Sequence, residues 1–378
     1  MFKFFTLSFF LLSYLFDGGD TLNCTSNVVD NSGVVGAKAA SVMKTDGTIY
    51  ATYFDFTSGD QKTWFVNCQD EDCITNTKTN LNSPPGVLEA GNSLGIKSDG
   101  YAIIASQVRF ASRFNRLQVT ECHDADCSSN TKTPIGSLYG GSYISLAMRS
   151  DNTAVLTNYN IVFGKTLDIV SCLNTACSLN DEVTVDSTIE TGRHAALRLD
   201  SNGNPVIVYR GPGANNLRYA VCGNSDCTSG NIIKTIPGTA NLGDYNSFFL
   251  DNNNVATITT YDFSLYEFVV VFCANSLCTS ATTTSVGGPF SGQFTSVVSD
   301  STNSGQAAAT YVNLYEDKLN IAQCDSSDCT NNTISIVDNS TFSGSFNTLH
   351  QSPVTDNFVV SYHIQEEDNE SFNVAVCS

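Results

Sequence analysis

Basic residues are scarce in this chain of 378. Only 18 lysines and arginines stand against 37 acidic residues, giving a formal charge of −19. No basic run interleaved with aromatics occurs, and so acidic a surface repels nucleic-acid phosphate and anionic lipid; neither is expected as a partner. The acidity itself has two readings, solubility of a Thr/Ser/Asn-rich chain or calcium binding. Histidine occurs four times, at His123, His194, His350 and His363. These are too few and too scattered for a multi-histidine metal centre. Tryptophan occurs once, at Trp64. Helical periodicity is also missing: no window of about ten residues beyond the N-terminal segment carries it.

Long apolar runs are limited to one. Behind Met1-Phe2-Lys3, residues Phe4 to Phe16 form a 13-residue apolar stretch. That is signal-peptide length and short for a bilayer span. Residues 1–19 are therefore expected to be an export signal. Asp17-Gly18-Gly19 is the expected cleavage region, without a clean Ala-x-Ala pattern, and an uncleaved anchor is the alternative. The remainder, 20–378, carries no second apolar segment and is expected to be one domain that does not insert into a membrane.

What the chain does have is cysteine, 14 of them, which places it in an oxidising compartment. Sequons at Asn23, Asn331, Asn339 and Asn369 agree with export. Twelve cysteines form six Cys-x4-Cys pairs: Cys68/Cys73, Cys122/Cys127, Cys172/Cys177, Cys222/Cys227, Cys273/Cys278 and Cys324/Cys329. Successive first cysteines are 54, 50, 50, 51 and 51 residues apart, a regularity that signals a repeat architecture. Cys377 lies 53 residues after Cys324, and Cys24 lies 49 before Cys73, so each reads as half of a seventh pair. A repeat split between the two ends of a chain is natural in a closed ring and hard to place in an open solenoid.

Each unit reads as β. In the fourth, His194-Ala-Ala-Leu-Arg-Leu is followed by the turn Asp200-Ser-Asn-Gly-Asn and by Pro205-Val-Ile-Val-Tyr. Then come Leu217-Arg-Tyr-Ala-Val-Cys222, the cysteine hairpin and Ile232-Ile-Lys-Thr-Ile. Four short β-branched and aromatic runs between Asn/Asp/Gly turns make a propeller blade. The expected fold is all-β: a seven-bladed β-propeller with four antiparallel strands per blade, closed by a Cys24–Cys377 bond. Each Cys-x4-Cys pair is expected to bracket the hairpin between third and fourth strands, at the rim, where a blade has least core. In the chain-entropy account a hairpin disulfide contributes about 2 kcal/mol, and the bond across the ends about 5–6 kcal/mol. Zinc binding by the pairs is disfavoured, because each pair sits on a different blade and four ligands must converge.

The segment Asp200 to Cys227, with its Asp/Gly turn, Pro-Val-Ile-x-Tyr strand, Leu-x-Tyr-Ala-x-Cys strand and cysteine hairpin, resembles repeats of secreted bacterial and protist propeller-like proteins. The resemblance covers essentially the whole mature chain. It implies the fold and secretion and carries no activity. Likeness to sialidases is slighter. Lys44-Thr-Asp46-Gly47-Thr48-Ile-Tyr50 follows their Ser-x-Asp-x-Gly-x-Thr-Trp box only loosely, and no arginine triad is identifiable.

Propellers commonly carry function on the face formed by second-to-third-strand loops and interblade connections. Here the connections end in Gly-x-aromatic-x-Ser/Thr, as in Gly141-Ser-Tyr-Ile-Ser145 and Gly243-Asp-Tyr-Asn-Ser247. The residue after the glycine is expected at the channel mouth: Asn92, Ser142, Arg193, Asp244, Gln293 and Ser345, with Lys38 in the first blade. The aromatic that follows is read as interblade packing. Tyrosine recurs at the end of the second strand (Tyr53, Tyr209, Tyr261, Tyr311, Tyr362), placed between blades with its hydroxyl at the rim. The residues after it, Arg210, Asp262 and His363 among them, vary. Arg193, Arg210, Asp244 and Asp262, all in the fourth and fifth blades, form the best site candidate, with a surface ion pair as the plainer alternative. Asp244 with Asp262 would be the carboxylate pair of a hydrolase. No cofactor is expected. Calcium at Asp200-Ser-Asn202-Gly-Asn204 competes with an ordinary turn, which the single carboxylate favours. The expected function is recognition of an extracellular glycan or glycoprotein. A self-associating coat or matrix subunit and a polysaccharide-degrading enzyme are the alternatives.

Overall fold

The computed structural model describes residues 21–57, 62–81, 88–109, 115–136, 140–160, 164–213, 216–366 and 370–378. The expected signal segment lies outside them. All regular structure among these residues is strand, arranged as seven four-stranded antiparallel sheets. Blades 1 to 6 span residues 35–80, 88–135, 146–186, 193–240, 242–289 and 291–338, each meandering outward from an innermost first strand. Blade 7 takes three strands from residues 343–377 and its outermost strand, Cys24–Asp30, from the other end of the chain. First strands pack against one another around the whole ring, blade 7 against blade 1 included.

The second strands explain why the sequence folds this way. Val206, Ile207, Val208 and Tyr209 are buried on both faces, because each sheet is sandwiched between two others; such strands read as continuous apolar runs. The core is accordingly divided into seven clusters, one at each joint between blades. At the joint of blades 4 and 5, Val208 and Tyr219 meet Phe248 and Ile258. Burying a side chain such as Phe248 contributes about 2–3 kcal/mol.

The ring closes at blade 7. Strand Cys24–Asp30 pairs with Ser371–Cys377 so that Cys24 faces Cys377, and the two are bonded. Asn23 and Ser378 exchange backbone hydrogen bonds at 3.0 and 3.1 Å. The six Cys-x4-Cys pairs, Cys68–Cys73, Cys122–Cys127, Cys172–Cys177, Cys222–Cys227, Cys273–Cys278 and Cys324–Cys329, are all disulfides between third and fourth strands.

Their surroundings correct the expectation of staples on a thinly covered rim. Cys127, Cys177, Cys278 and Cys329 are 0% exposed, and Cys73 and Cys227 are 1% exposed. Each pair is part of the core shared with the preceding blade. Cys127 joins the cluster of blades 1 and 2, Cys177 that of blades 2 and 3, Cys278 that of blades 4 and 5, and Cys329 that of blades 5 and 6. The physical reason is twofold. A disulfide is apolar and gains from burial like other small hydrophobes. The second cysteine also has a positive φ, 48–57° in the six hairpins, which doubles the chain back over the sheet. That conformation is costly for a side-chain-bearing residue. An i→i+3 backbone bond holds it: Cys127 N donates to Asp124 O at 3.2 Å, Cys177 N to Asn174 O at 3.0 Å, Cys278 N to Asn275 O and Cys329 N to Ser326 O, both at 2.9 Å. An asparagine three residues on caps the carbonyl of Cys73, Cys127, Cys177 and Cys329 at 2.9–3.0 Å.

Innermost strands have a free edge, and its N–H groups need acceptors. The serine ending the interblade pattern supplies them. Ser93 Oγ accepts from Leu146 N, Ser145 Oγ from Leu197 N, Ser247 Oγ from Val297 N and Ser296 Oγ from Leu349 N, at 2.9–3.2 Å. Every acceptor lies one blade before its donor, so these bonds add a polar fastening at four joints of the ring.

Strand register corrects the tyrosine series. Opposite the fourth residue before each third-strand cysteine stand Tyr53, Ser106, Asn158, Tyr209, Thr260, Tyr311 and Tyr362. Tyr261 belongs one place further on. The tyrosine hydroxyls are not at the rim either. Tyr53, Tyr209 and Tyr362 are fully buried and donate to Asp30, Asp186 (2.7 Å) and Asp338, which close the fourth strand of the preceding blade. They are clamps between blades.

Candidate functional site

The loop face forms as expected, since second-strand ends bond directly to the interblade connections. Phe56 N donates to Val34 O at 2.7 Å, Phe263 N to Asn241 O at 3.2 Å and Leu314 N to Phe290 O at 2.7 Å. The connections into blades 1 and 3 to 7 enter through a glycine of positive φ that lies against the preceding blade. At Gly292 (φ +109°) a Cβ would sit 2.5 Å from Phe268 Cα. In blades 3 to 6 the residue after the glycine pairs with the end of the preceding blade's second strand. Gln107 Nε2 donates to Ser142 Oγ at 3.0 Å and Arg193 Nε to Tyr159 OH at 3.2 Å. Arg210 Nη1 donates to both Asp244 oxygens at 2.8 and 3.1 Å, and Tyr261 bonds Gln293. The varied chemistry of this ring thus has a structural cause: each position complements a different neighbour.

Arg193, Arg210 and Asp244 are brought together. Arg193 lies opposite Arg210 in blade 4. Asp244 of blade 5 sits between Arg210 and His194, whose Nε2 is 3.3 Å from Oδ1. Burial, helped by Arg210 and Arg193 and opposed by Asp244, pulls His194 down to about 4. Asp262 is not part of this group. It stands one residue past the Arg210 position, so strand alternation turns it to the other face of its sheet. Its Oδ1 accepts from Ser264 N (2.7 Å) and Leu265 N (3.0 Å), capping the turn. The Asp244/Asp262 pair is therefore not assembled. His363 lies apart in blade 7, between Ser345 Oγ (3.0 Å) and Glu370 Oε2 (3.1 Å), and burial lowers it to about 4. Asn92 is opposite Ser106, whereas Ala90, opposite Gln107, has the register that Asp244 has opposite Tyr261. The mouth position of blade 2 is thus Ala90.

The residues that do reach the mouth are those one step further along. Lys38, Tyr143, His194, Tyr245, Phe294 and Phe346 share φ values of 51–53°, an outlier for bulky side chains that requires support from its surroundings. The next blade gives it: Asn246 Nδ2 donates to His194 O at 2.9 Å, Thr295 Oγ1 to Tyr245 O at 2.5 Å, and Asn347 Nδ2 to Phe294 O. Five of the six form a collar. Tyr143, His194, Tyr245, Phe294 and Phe346 touch in succession, with ring centroids 4.5, 5.0, 4.7 and 4.8 Å apart. They pack across joints, as read from the sequence, yet Tyr143 remains 42% exposed. Tyr245 also meets Tyr261 edge-on at 6.1 Å. Further out, Phe263, Tyr266 and Phe290 are exposed, their ring centroids 6.1 and 5.9 Å apart in succession. Sequence reasoning missed this outer set, whose only signal is aromatics in the turn Phe263-Ser-Leu-Tyr266 where polar residues are usual.

Two other readings are placed as well. Asp200 Oδ1 accepts from Asn202 N (2.9 Å) and Asn204 N (2.8 Å). Asp46, Asp151, Asp251 and Asp300 cap the corresponding turns of other blades in the same way, so this motif is the blade's recurring Asx turn. Asn23, Asn331 and Asn339 are exposed, while Asn369 lies outside the described residues. A carboxylate pair absent from the sequence reading occurs in blade 3. Burial, then Glu182, raises Asp168, and Asn158 holds Glu182 at 2.8 Å. Both stand on the third and fourth strands, away from the mouth.

No family model matches the chain, and no curated protein matches it in sequence. Solved structures resemble it in fold. A lectin from Burkholderia pseudomallei superposes with a TM-score of 0.57 at 10% identity, covering 90% of this chain and 98% of that one. An alpha-L-arabinofuranosidase of Fusarium graminearum, in complex with arabinobiose, gives 0.52 at 13% identity, with 84% and 97% covered. Trypanosoma rangeli sialidase gives 0.50 at 12% identity, and this chain spans 54% of it. The chain is a seven-bladed, disulfide-bonded β-propeller whose structural neighbours include a lectin and glycosidases. No described helix is long and apolar enough to cross a membrane, and seven disulfides fit an extracellular setting.

Proposed function

We propose that the protein is an exported recognition module that binds a glycan or glycoprotein chain on its loop face. The observation that carries this reading is the aromatic surface there. A collar of mutually tilted rings in contact rims the channel, and exposed Phe263, Tyr266 and Phe290 extend outward over blades 5 and 6. Flat aromatic faces suit the C–H faces of sugar rings, and rigid side chains on disulfide-held blades lose little entropy on binding. A lectin among the structural neighbours supports the reading by analogy of fold alone. A hydrolase would need free carboxylates at the mouth. Asp244 is engaged by Arg210 and His194, and Asp262 by its own turn.

The test is a glycan-array screen of the oxidised protein, with calcium and with chelator. Binding to a defined glycan class is expected, weakened about tenfold or more by Tyr266→Ala. The same exposed rings would serve self-association in a coat or matrix subunit. A blank array with concentration-dependent oligomers in light scattering, abolished by Tyr266→Ala, would replace recognition with assembly.

A further inference from the structure

Arg198 lies on the innermost strand of blade 4 (Arg193–Leu199), where it is exposed to the open space of the central channel. It lines two adjoining cavities. One, of about 400 Å³, is the channel chamber, bounded by first strands of six blades and bearing Ser41, Ser93, Ser145, Ser296 and His350. The other, of about 360 Å³, lies toward the end of the channel away from the loop face and is walled by Val42, Leu94, Ile96, Leu146 and Leu199. Neither lining contains an Asp or Glu. The guanidinium has one protein acceptor, Leu197 O at 2.8 Å from Nη1, and its carbon lies 5.6 Å from the centroid of the Phe248 ring. Its other N–H groups have no acceptor among the described residues.

The chamber adds donors of its own. Ser93, Ser145 and Ser296 already accept a backbone N–H through Oγ, which leaves each hydroxyl proton free to donate. An arginine without a counter-ion, hydroxyl donors and an adjoining apolar wall define a complementary ligand. We propose that the channel is an oxyanion site in which Arg198 binds the carboxylate of a small organic acid whose apolar body rests in the adjoining apolar cavity. Arginine suits a carboxylate because its planar fork can meet both oxygens. An acidic protein would bind such an anion only where its field is locally reversed, and the acid-free lining provides that reversal.

Calorimetric titration with benzoate, and separately with inorganic phosphate, tests the assignment. Benzoate is expected to bind the wild type and raise its Tm, and Arg198→Gln is expected to weaken binding at least about tenfold. Absence of benzoate binding to the wild type, or equal binding by Arg198→Gln, overturns the site. Tighter binding of phosphate than of benzoate overturns the carboxylate assignment. Should the variant fail to fold, the Arg198 Nε–Hε resonance of the wild type decides: it shifts on adding benzoate, and an unmoved signal overturns the proposal. The site is independent of the glycan reading, since Tyr266 lines neither cavity; Tyr266→Ala is expected to leave benzoate binding intact.

Discussion

Single residues in this ring serve mainly as fasteners between blades, and the buried tyrosines are the clearest case. Tyr209 passes its hydroxyl to Asp186 of blade 3, which also holds Arg218 at 3.1 Å. Tyr209→Phe removes one charge-assisted bond and leaves the arginine in place. A loss of about 1–2 kcal/mol is expected in urea unfolding, without change in fold. A loss no greater than that of an exposed Tyr315→Phe control would show that the hydroxyl is idle. The same logic accounts for what could not be read of the candidate site. Residue types at the mouth are visible in sequence, but which partner satisfies each is not. Arg210 and Asp244 look like a binding pair until their places on adjoining blades show them joined to each other.

At the scale of the element, the first strand carries most of the repeat's information. Its glycine permits a positive φ and a close approach, its aromatic reaches the collar, and its serine satisfies the next blade's edge. Glycines in different roles should therefore fail differently. Gly203→Ala, in an open turn with φ +80° and no atom within 4 Å of a new Cβ, is expected to cost about 1 kcal/mol. Gly292→Ala adds a collision with the Phe268 backbone and should cost several-fold more, or prevent folding. Equal costs in thermal unfolding would mean that the joint relaxes freely. Blade count, strand order and disulfide pairing were legible because cysteine spacing and Asx turns repeat on a fixed period. The burial of Cys127, Cys177, Cys278 and Cys329 was not, since spacing names a bond but not the neighbouring blade that covers it. Strand register was not legible either. Turn lengths differ between blades, and one residue of slippage moved Tyr261 and Asp262 to the wrong faces, while a two-residue difference in the blade 2 connection displaced Asn92.

The whole molecule depends on closure and on charge. Cys24–Cys377 closes 353 residues of sequence separation, against 5 for each hairpin bond. The chain-entropy account assigns the seam about 5–6 kcal/mol and a hairpin about 2 kcal/mol. Replacing Cys24 and Cys377 by serine should therefore lower Tm more than replacing Cys222 and Cys227. The reverse order would mean that strand pairing alone holds the seam. Acid acts on the ring as a whole. Burial holds His194, His350 and His363 at about 4, well below the ordinary value of 6.5. Each is depressed in the folded state, so the unfolded chain takes up protons first. The stability they contribute is complete above pH 6.5 and is lost as pH falls from 6.5 toward 4. Asp30 adds a lower window. Burial raises its carboxyl, but bonds from Tyr53, Ser32 and Lys78 outweigh that and hold it below 3.8, so its contribution disappears only in stronger acid. Protonating carboxylates meanwhile relieves the repulsion of a −19 chain, which works in the opposite sense. The two effects separate in a variant. His363→Gln removes one buried imidazole and leaves the net charge at neutral pH unchanged, so its Tm should fall less steeply than that of the wild type between pH 6.5 and 4. Parallel slopes would assign the acid sensitivity to the carboxylates alone.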